Sequence, residues 1–315
     1  MNKFLTLFIL LLNSWLLLAQ QQQQHTQFMY NKLGLNAGYA GSGDASCLTG
    51  IYRNQWIGLE GAPNTQTLAF DLPLLNKRIG AGLNLTRNSI SISERWTLDG
   101  IYAYRIKLGQ GRLGMGLRAS VRYFSMNYAD PRLSATQGIA GDNGIPFGAQ
   151  NKYLPNFGAG IYYSSRKFYA GVSVPRILTN SLEFRNENNN GLSKEVLHFY
   201  AMGGLNIDLT DELRLIPQLL LKYAVGAPFD FEVNVMAQLN EKYTGALTYR
   251  GGGSGLGASI DIMLGMQLTE ALLFGLSYDL ALSEIKTYNS GSLEAVVRFC
   301  FDVAEGNDVL NPRFF

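Results

Sequence analysis

Histidine and cysteine are scarce in this chain, which has two of each among its 315 residues. So few side chains of these types leave no zinc-type cluster. A Ser-His-Asp hydrolase needs a histidine beside a nucleophile and a carboxylate, and His198 is the only candidate that lies in a strand pattern. The sequence positions no nucleophile for it. We therefore expect a non-enzymatic protein with no catalytic, metal-binding or cofactor-binding residues.

Charge is also low, since charged residues make up 16% of the chain and the formal net charge is +2. An average soluble domain carries about 25% charged residues. There is no basic stripe with interleaved aromatic residues, so we expect no nucleic-acid partner. Residues 253–258 fit the dinucleotide pattern G-x-G-x-x-A, but a period-two segment follows them instead of the helix that this pattern requires. We interpret them as a loop.

Long apolar runs are confined to the N-terminus. Lys3 precedes an apolar stretch from Phe4 to Leu18, and Leu17-Leu18-Ala19 is a passable cleavage site in which Leu17 is bulkier than is usual. This arrangement predicts a signal peptide over residues 1–19. A membrane anchor is the alternative, but the run is shorter than the ~20 residues that a spanning helix needs. No later stretch is apolar enough for such a helix, so only closed β structure could cross a membrane.

Alternation of apolar and polar residues dominates the rest of the chain. Between Leu113 and Tyr123, for example, every second residue is apolar, and Gly, Arg or Ser lies between them. Such segments are about ten residues long, which is the length that a tilted strand needs to cross a bilayer. One apolar and one polar face, repeated along the chain, predict an all-β fold: a transmembrane antiparallel β-barrel with lipid outside and a polar lumen.

The connections between these segments differ in length, and most of them alternate between tight and long. The tight ones are residues 73–77, 108–111, 164–167, 210–212, 240–242 and 269–271. The longer ones are 57–64, 87–95, 128–153, 179–196 and 283–291, with short exceptions at 225–228 and 251–255. Short periplasmic turns and longer outer loops are typical of outer-membrane barrels. We therefore expect about 14 strands over residues 46–315, with both termini in the periplasm, after a periplasmic or lumenal segment 20–45.

The polar face carries charges of both signs, which indicates what the lumen holds. These inward-facing residues are Asp99, Arg105, Arg118, Arg122, Arg214, Lys222, Glu232, Asp261, Asp279, Glu294 and Arg298. Ion pairs could partly close the lumen, although a wide open pore would also be lined with charge. The segment before the first strand is short for a hatch domain. Cys47 and Cys300 lie near the ends of the first and last strands, so a disulfide that closes the barrel is a further hypothesis.

Tyrosine and tryptophan fall largely near the ends of the expected strands. We interpret them as aromatic girdles at the two membrane surfaces. The residues are Tyr52, Trp56, Trp96, Tyr102, Tyr104, Tyr123, Tyr128, Tyr153, Tyr162, Tyr163, Tyr169 and Tyr223. Stacking on a sugar or another ligand is the alternative role.

Several motifs resemble one known family along nearly the whole mature chain. The most specific is Tyr52-Arg53-Asn54-Gln55-Trp56, followed by Gly58 and by Gly61-Ala62-Pro63. Further matches are His25-Thr26-Gln27-Phe28-Met29-Tyr30-Asn31, Tyr39-Ala40-Gly41, Leu276-Ser277-Tyr278-Asp279, Ser290-Gly291-Ser292-x-Glu294 and Asn311-Pro312-Arg313-Phe314-Phe315. On these residues the chain resembles the PorP/SprF family of type IX secretion system membrane proteins. It departs from the family pattern at Ala37-Gly38 and at Leu293.

The resemblance implies a barrel of the cell outer membrane that supports export or surface attachment of cargo, such as gliding adhesins. The implied partners are outer-membrane lipid, the periplasmic ring and motor components, and secreted cargo with a C-terminal signal domain. It implies structural roles, rather than cargo contacts, for Tyr52, Arg53, Asn54, Gln55, Trp56, Gly61, Pro63, Tyr278, Asp279 and Glu294. A network of Tyr52, Arg53 and Trp56 inside the lumen is one such role. A small-molecule transporter or porin is the alternative function.

Overall fold

The computed structural model describes residues 25–133, 148–182, 184, 194–252 and 258–301. The expected signal peptide, the C-terminal motif 311–315 and most of the glycine-rich segment 253–258 lie outside the described residues. The longest expected loops, 128–153 and 179–196, are described only in part. None of the helices in the described ranges is long and apolar enough to cross a membrane.

The described chain forms one antiparallel sheet that closes on itself. Its strands are β1 (Ser46–Asn54), β2 (Asn64–Leu74), β3 (Ile79–Ile90), β4 (Ser93–Leu108), β5 (Gly111–Asn127), β6 (Ala149–Ser164), β7 (Phe168–Val174), β8 (His198–Leu205), β9 (Ile207–Asp208), β10 (Leu213–Ala224), β11 (Asp230–Leu239), β12 (Tyr243–Gly252), β13 (Ser259–Gln267), β14 (Leu272–Ala281) and β15 (Ser292–Phe301). Because β8 and β9 both pair with β10, they form one interrupted strand. The barrel therefore has 14 strands, which confirms the predicted architecture.

The barrel closes where β1 pairs with β15 along its whole length, from Ser46 opposite Phe301 to Asn54 opposite Leu293. Cys47 and Cys300 face each other in this register and form a disulfide, with Cα atoms 4.1 Å apart. Both cysteines are buried. The first and last strands are thus joined covalently as well as by their hydrogen bonds.

Side-chain alternation determines which face of each strand meets lipid. In β4 and β5, residues such as Leu98 and Leu117 are exposed on the outer surface, while Asp99 and Arg118 between them are buried in the lumen. The outer face is rich in apolar side chains along the whole sheet. Exposed apolar side chains at this density are stable against the apolar hydrocarbon of a membrane. The hydrogen bonds between strands satisfy the backbone groups there.

The two ends of the barrel differ in their connections. One end, here called the turn end, carries the connections 75–78, 109–110, 165–167, 209–212, 240–242 and 268–271. The other, here called the loop end, carries 55–63, 91–92, 128–148, 175–197, 225–229, 253–258 and 282–291. The prediction of a long loop at 87–95 is wrong, because Ile90 pairs with Ser93 across a two-residue turn. Its polar residues resemble a loop, but Arg87 and Glu94 form a cross-strand ion pair at 2.6 Å.

Residues 25–45, here called the plug, run through the lumen and contain three short helical turns: Phe28–Tyr30, Lys32–Leu35 and Ala37–Tyr39. Most of its residues are buried, including Phe28, Lys32 and Ala40. A fourth helical turn, Glu284–Thr287, lies in a loop at the loop end. The plug is too short for a separate folded domain, yet it fills the lumen because the barrel wall itself packs around it.

Glycines on the inner wall let the plug backbone approach closely. A Cβ atom added at Gly80 would lie 1.9 Å from the Ala40 carbonyl oxygen, and one at Gly116 would lie 2.2 Å from that of Ala37. At Gly114 it would meet the Gly38 oxygen at 2.3 Å. No larger residue fits at these positions without displacing the plug. The barrel wall and the plug are therefore matched to each other.

Candidate functional site

Three residues from separate family motifs meet inside the barrel. Arg53 of β1 forms ion pairs with Asp279 of β14 at 2.6 Å and with Glu294 of β15 at 3.3 Å. All three side chains are buried. They are adjacent because β14, β15 and β1 are neighbouring strands and each residue lies on the inward face of its strand. We call these three residues the anchor.

The plug begins at the anchor. The backbone N–H groups of Thr26 and Gln27 donate to the Glu294 carboxylate at 3.1 and 2.7 Å. The Thr26 hydroxyl donates to Asp279 at 2.7 Å, and Arg53 donates to that hydroxyl. His25 Nδ1 lies 3.6 Å from Glu294. The motif that starts at His25 therefore joins those that contain Arg53, Asp279 and Glu294.

A second group of ion pairs continues the network across the next strands. Arg250 of β12 lies 3.2 Å from Glu232, 3.2 Å from Asp261 and 3.8 Å from Asp279. Lys222 of β10 forms an ion pair with Glu232 of β11. The expected lumenal ion pairs are present among the described residues. However, the ion pairs do not occupy the lumen alone, because the plug that they bind lies there too.

The balance of formal charge in this network explains why the plug binds there. Its four carboxylates, on Glu232, Asp261, Asp279 and Glu294, face three fixed cations, on Arg53, Lys222 and Arg250. A buried carboxylate without enough partners is costly. The N–H groups of the plug supply the missing donors, and hydrogen bonds to a charged acceptor are stronger than neutral ones.

The remaining family-motif residues lie at the loop end, close to the anchor. Asn54 ends β1 opposite Asn64, the Gln55 N–H donates to the Pro63 carbonyl at 2.9 Å, and the Ser91 N–H donates to that of Gly61 at 2.8 Å. Gly61 has a φ of +73°, which favours glycine. The Trp56 N–H donates to the Ser292 hydroxyl at 3.2 Å. These contacts tie loop 55–63 to the loops on both sides.

Two motif tyrosines lie on the outer surface. The Tyr52 hydroxyl accepts a hydrogen bond from Asn64 at 2.8 Å, and the Tyr278 hydroxyl donates to the Ser290 carbonyl. Both side chains are exposed. The hypothesis of a lumenal network of Tyr52, Arg53 and Trp56 therefore holds for Arg53 alone. Tyr52 faces outward because it alternates with Arg53, and Trp56 lies in the loop beyond the strand.

Two tyrosines that were expected in the aromatic girdles instead contact the plug inside the lumen. Tyr162 and Tyr169 are buried in the lumen with their rings stacked 5.6 Å apart. Tyr39 of the plug meets Tyr162 edge to face at 5.3 Å, and the Lys32 ammonium lies 3.7 Å above the Tyr169 ring. The girdle interpretation is wrong for this pair. The alternation of the sequence could have shown it, because neighbouring Tyr162 and Tyr163 must face opposite sides of the sheet.

Polar contacts hold the rest of the plug in register with the wall. Arg118 donates to the carbonyl groups of Leu33 and Gly34 at 2.5 and 2.9 Å. Asn36 donates to the Ile161 carbonyl at 3.0 Å, and Asp71 accepts from the Gly41 N–H at 2.7 Å. The plug is thus bound along its length by side chains from several strands.

The chemistry of the site is that of holding a polypeptide. His198 lies in the lumen with Nδ1 2.7 Å from the Val196 carbonyl oxygen. Within the described ranges, no group of three or more His, Cys, Asp or Glu residues could hold a metal ion. The arrangement of buried ion pairs and backbone contacts stabilises one position of the plug.

Solved structures confirm the kind of fold. The barrel is similar to the Ralstonia pickettii toluene transporter TbuX, with a TM-score of 0.50 and 9% identity over 84% of this chain and 90% of that one. It is also similar to the CymD monoaromatic hydrocarbon channel, with a TM-score of 0.51 and 9% identity over 87% and 93% of the two chains. At this identity the similarity shows the fold alone. No curated protein sequence matches the chain.

A family model covers nearly the whole chain. It matches residues 17–299 and is described as the type IX secretion system membrane protein PorP/SprF. The matched range contains the plug, the anchor and almost all of the barrel. The chain belongs to the PorP/SprF family of type IX secretion system membrane proteins.

Proposed function

We propose that this protein is a non-enzymatic outer-membrane component of the type IX secretion system that supports the export or surface attachment of cargo such as adhesins. The family match over residues 17–299 supports the link to this secretion system. The observation that carries the proposal is the convergence of the family motifs on the anchor, where they fix a lumenal plug. A set of motifs that holds a barrel closed suits a protein that binds other proteins.

The proposed orientation places the turn end, where β1 begins and β15 ends, in the periplasm and the loop end outside the cell. A signal peptide over residues 1–19 would deliver the chain to that membrane. Short turns face the periplasm in bacterial barrels. The turn end would then meet the periplasmic ring and motor components, and the loop end would meet cargo with a C-terminal signal domain. The apolar outer face would contact membrane lipid.

A small-molecule transporter is the second candidate. The similar structures are described as a toluene transporter and a monoaromatic hydrocarbon channel, which favours it. Against it stands the plug, which is buried in the lumen and whose backbone packs directly against glycines of the wall. A wide water-filled lumen and ion conductance in lipid bilayers would favour this alternative.

Deletion of the gene tests the proposal. The secreted and cell-surface proteins of the deletion strain would be compared with those of the parent and of a complemented strain. We expect loss of one large surface protein, or of many proteins with C-terminal signal domains, and recovery on complementation. Loss of one surface protein would indicate a role for a single cargo, and loss of many would indicate a general role in secretion. An unchanged set of secreted and surface proteins would contradict the proposal.

A further inference from the structure

A small cavity lies in the lumen between the plug and the loop end, and His25 at the start of the plug is among the residues that line it. Its volume is about 90 Å³. The plug contributes Asn31 and Leu35 to its lining, and the segment after β7 contributes Pro175. A buried water needs roughly 10–15 Å³ of such space. The cavity therefore has room for a few waters or for one small polyatomic ion, but not for a nucleotide or a sugar chain.

Four arginines line this cavity against two carboxylates in the described part of the chain. The cations are Arg95, Arg118, Arg122 and Arg176, and the anions are Asp99 and Glu195. The formal charge of these six side chains is therefore +2. Uncompensated charge in a lumenal cavity is costly unless a counter-ion is bound.

Both carboxylates already have other partners. Asp99 accepts from the Ser120 hydroxyl at 2.5 Å and from Asn84 at 3.0 Å. Glu195 pairs with Arg122 and accepts from Asn156 at 3.1 Å and from Asn180 at 2.9 Å. Among the described residues, both acids thus have partners of their own, and Arg95, Arg118 and Arg176 form no ion pair with a carboxylate.

The arginines have donors to spare. Arg118 is 4% exposed, and two of its nitrogens bind plug carbonyls, but its Nε is buried without a hydrogen-bond partner in the described structure. The Nε of Arg95 is also buried without a partner there. Within the same described residues, neither Arg95 nor Arg176 forms an ion pair. Unused guanidinium donors around one cavity require an acceptor.

We propose that this cavity binds a small tetrahedral oxyanion of the size of phosphate. Guanidinium groups offer paired donors that match the oxygens of such an ion. Four arginines around one cavity can supply donors from several directions, which suits a tetrahedral ion better than a planar carboxylate. Because Arg118 also binds the Leu33 and Gly34 carbonyls, the bound ion would help to hold the plug in place.

The test uses the full mature barrel, purified in detergent micelles without phosphate or sulfate. Inorganic phosphate would be titrated calorimetrically at constant ionic strength, with chloride and acetate as comparison anions. We expect saturable phosphate binding that is tighter than acetate binding, and no saturable binding of chloride. Absence of saturable phosphate binding, or equal binding of phosphate and acetate, would overturn the proposal.

Two variants locate the site. Arg176→Gln and Arg95→Gln remove one cation each and should weaken phosphate binding by about tenfold or more, since each removes charge-assisted hydrogen bonds. Arg214→Gln is the matched control, because Arg214 pairs with Asp208 at the turn end and lies outside the cavity. Its affinity for phosphate should equal that of the unmodified protein. Equal weakening by all three variants would overturn the assignment, and heat-modifiable electrophoretic migration would check that each variant is folded.

Discussion

Arg53 is the residue on which the anchor depends most. Its guanidinium binds two buried carboxylates and the hydroxyl of Thr26, and its side chain is 1% exposed. Buried ion pairs contribute little net stability when they are compared with an apolar replacement of the whole pair. Removal of one partner is different, because it leaves the other charges buried and uncompensated.

Arg53→Met should therefore destabilise the barrel strongly. We expect the free energy of unfolding to fall by about 3–5 kcal/mol, the usual cost of breaking a buried pair. The measurement is the urea unfolding of the purified protein in micelles. Arg214→Met is the control: its partner Asp208 is largely exposed, so the loss should stay below about 1 kcal/mol. Similar losses in the two variants would show that the anchor is not a site of special stability.

The sequence predicted whether a side chain faces the lumen or the membrane better than it predicted which residues that side chain contacts. Alternation correctly placed Asp279 and Glu294 in the lumen. It could not show that both bind Arg53, because this contact depends on the closure of the barrel between β1 and β15. Tyr162 and Tyr169 were misassigned for another reason: tyrosines suit a membrane surface and a lumenal stack equally well, and only their parity distinguishes the two.

At the scale of elements, the plug is the feature that periodicity could not predict. Its residues do not alternate, and its three helical turns are too short to give a helical pattern. The signal lay instead in the wall, where glycines such as Gly80 and Gly116 occupy inward positions. A glycine there leaves room for another backbone, and that backbone is the plug.

Gly80→Val tests whether the plug is seated as described. The added side chain would collide with the Ala40 carbonyl, so we expect the plug to leave its position. Lys32, which is 1% exposed in the closed barrel, should then become a site of trypsin cleavage. The readout is release of an N-terminal fragment from folded protein in micelles.

Gly100→Val is the matched control for this experiment. Gly100 lies on the outer face of β4, and a Cβ atom added there would meet nothing within 4 Å. This variant and the unmodified protein should resist cleavage at Lys32. Cleavage at that residue in all three proteins, or in none of them, would contradict the described seating of the plug.

At the scale of the whole molecule, the sequence predicted the architecture well, including the 14 strands. It offered the closing disulfide only as a hypothesis, which the structure bears out. Repeated alternation and loop lengths specify a barrel because each strand must match the same membrane. The sequence does not determine the state of the lumen, since inward charges are expected both of a lumen closed by ion pairs and of an open pore. Only the packing of the plug against the wall distinguishes the two.

Closure of the lumen by the plug is the central claim, and ionic conductance in planar lipid bilayers tests it most directly. The mature protein would be compared with a variant that lacks residues 25–45, after electrophoresis has shown that both are folded. We predict no steady channel from the mature protein and stepwise channels from the variant. A steady open channel from the mature protein, equal to that of the variant, would contradict the account.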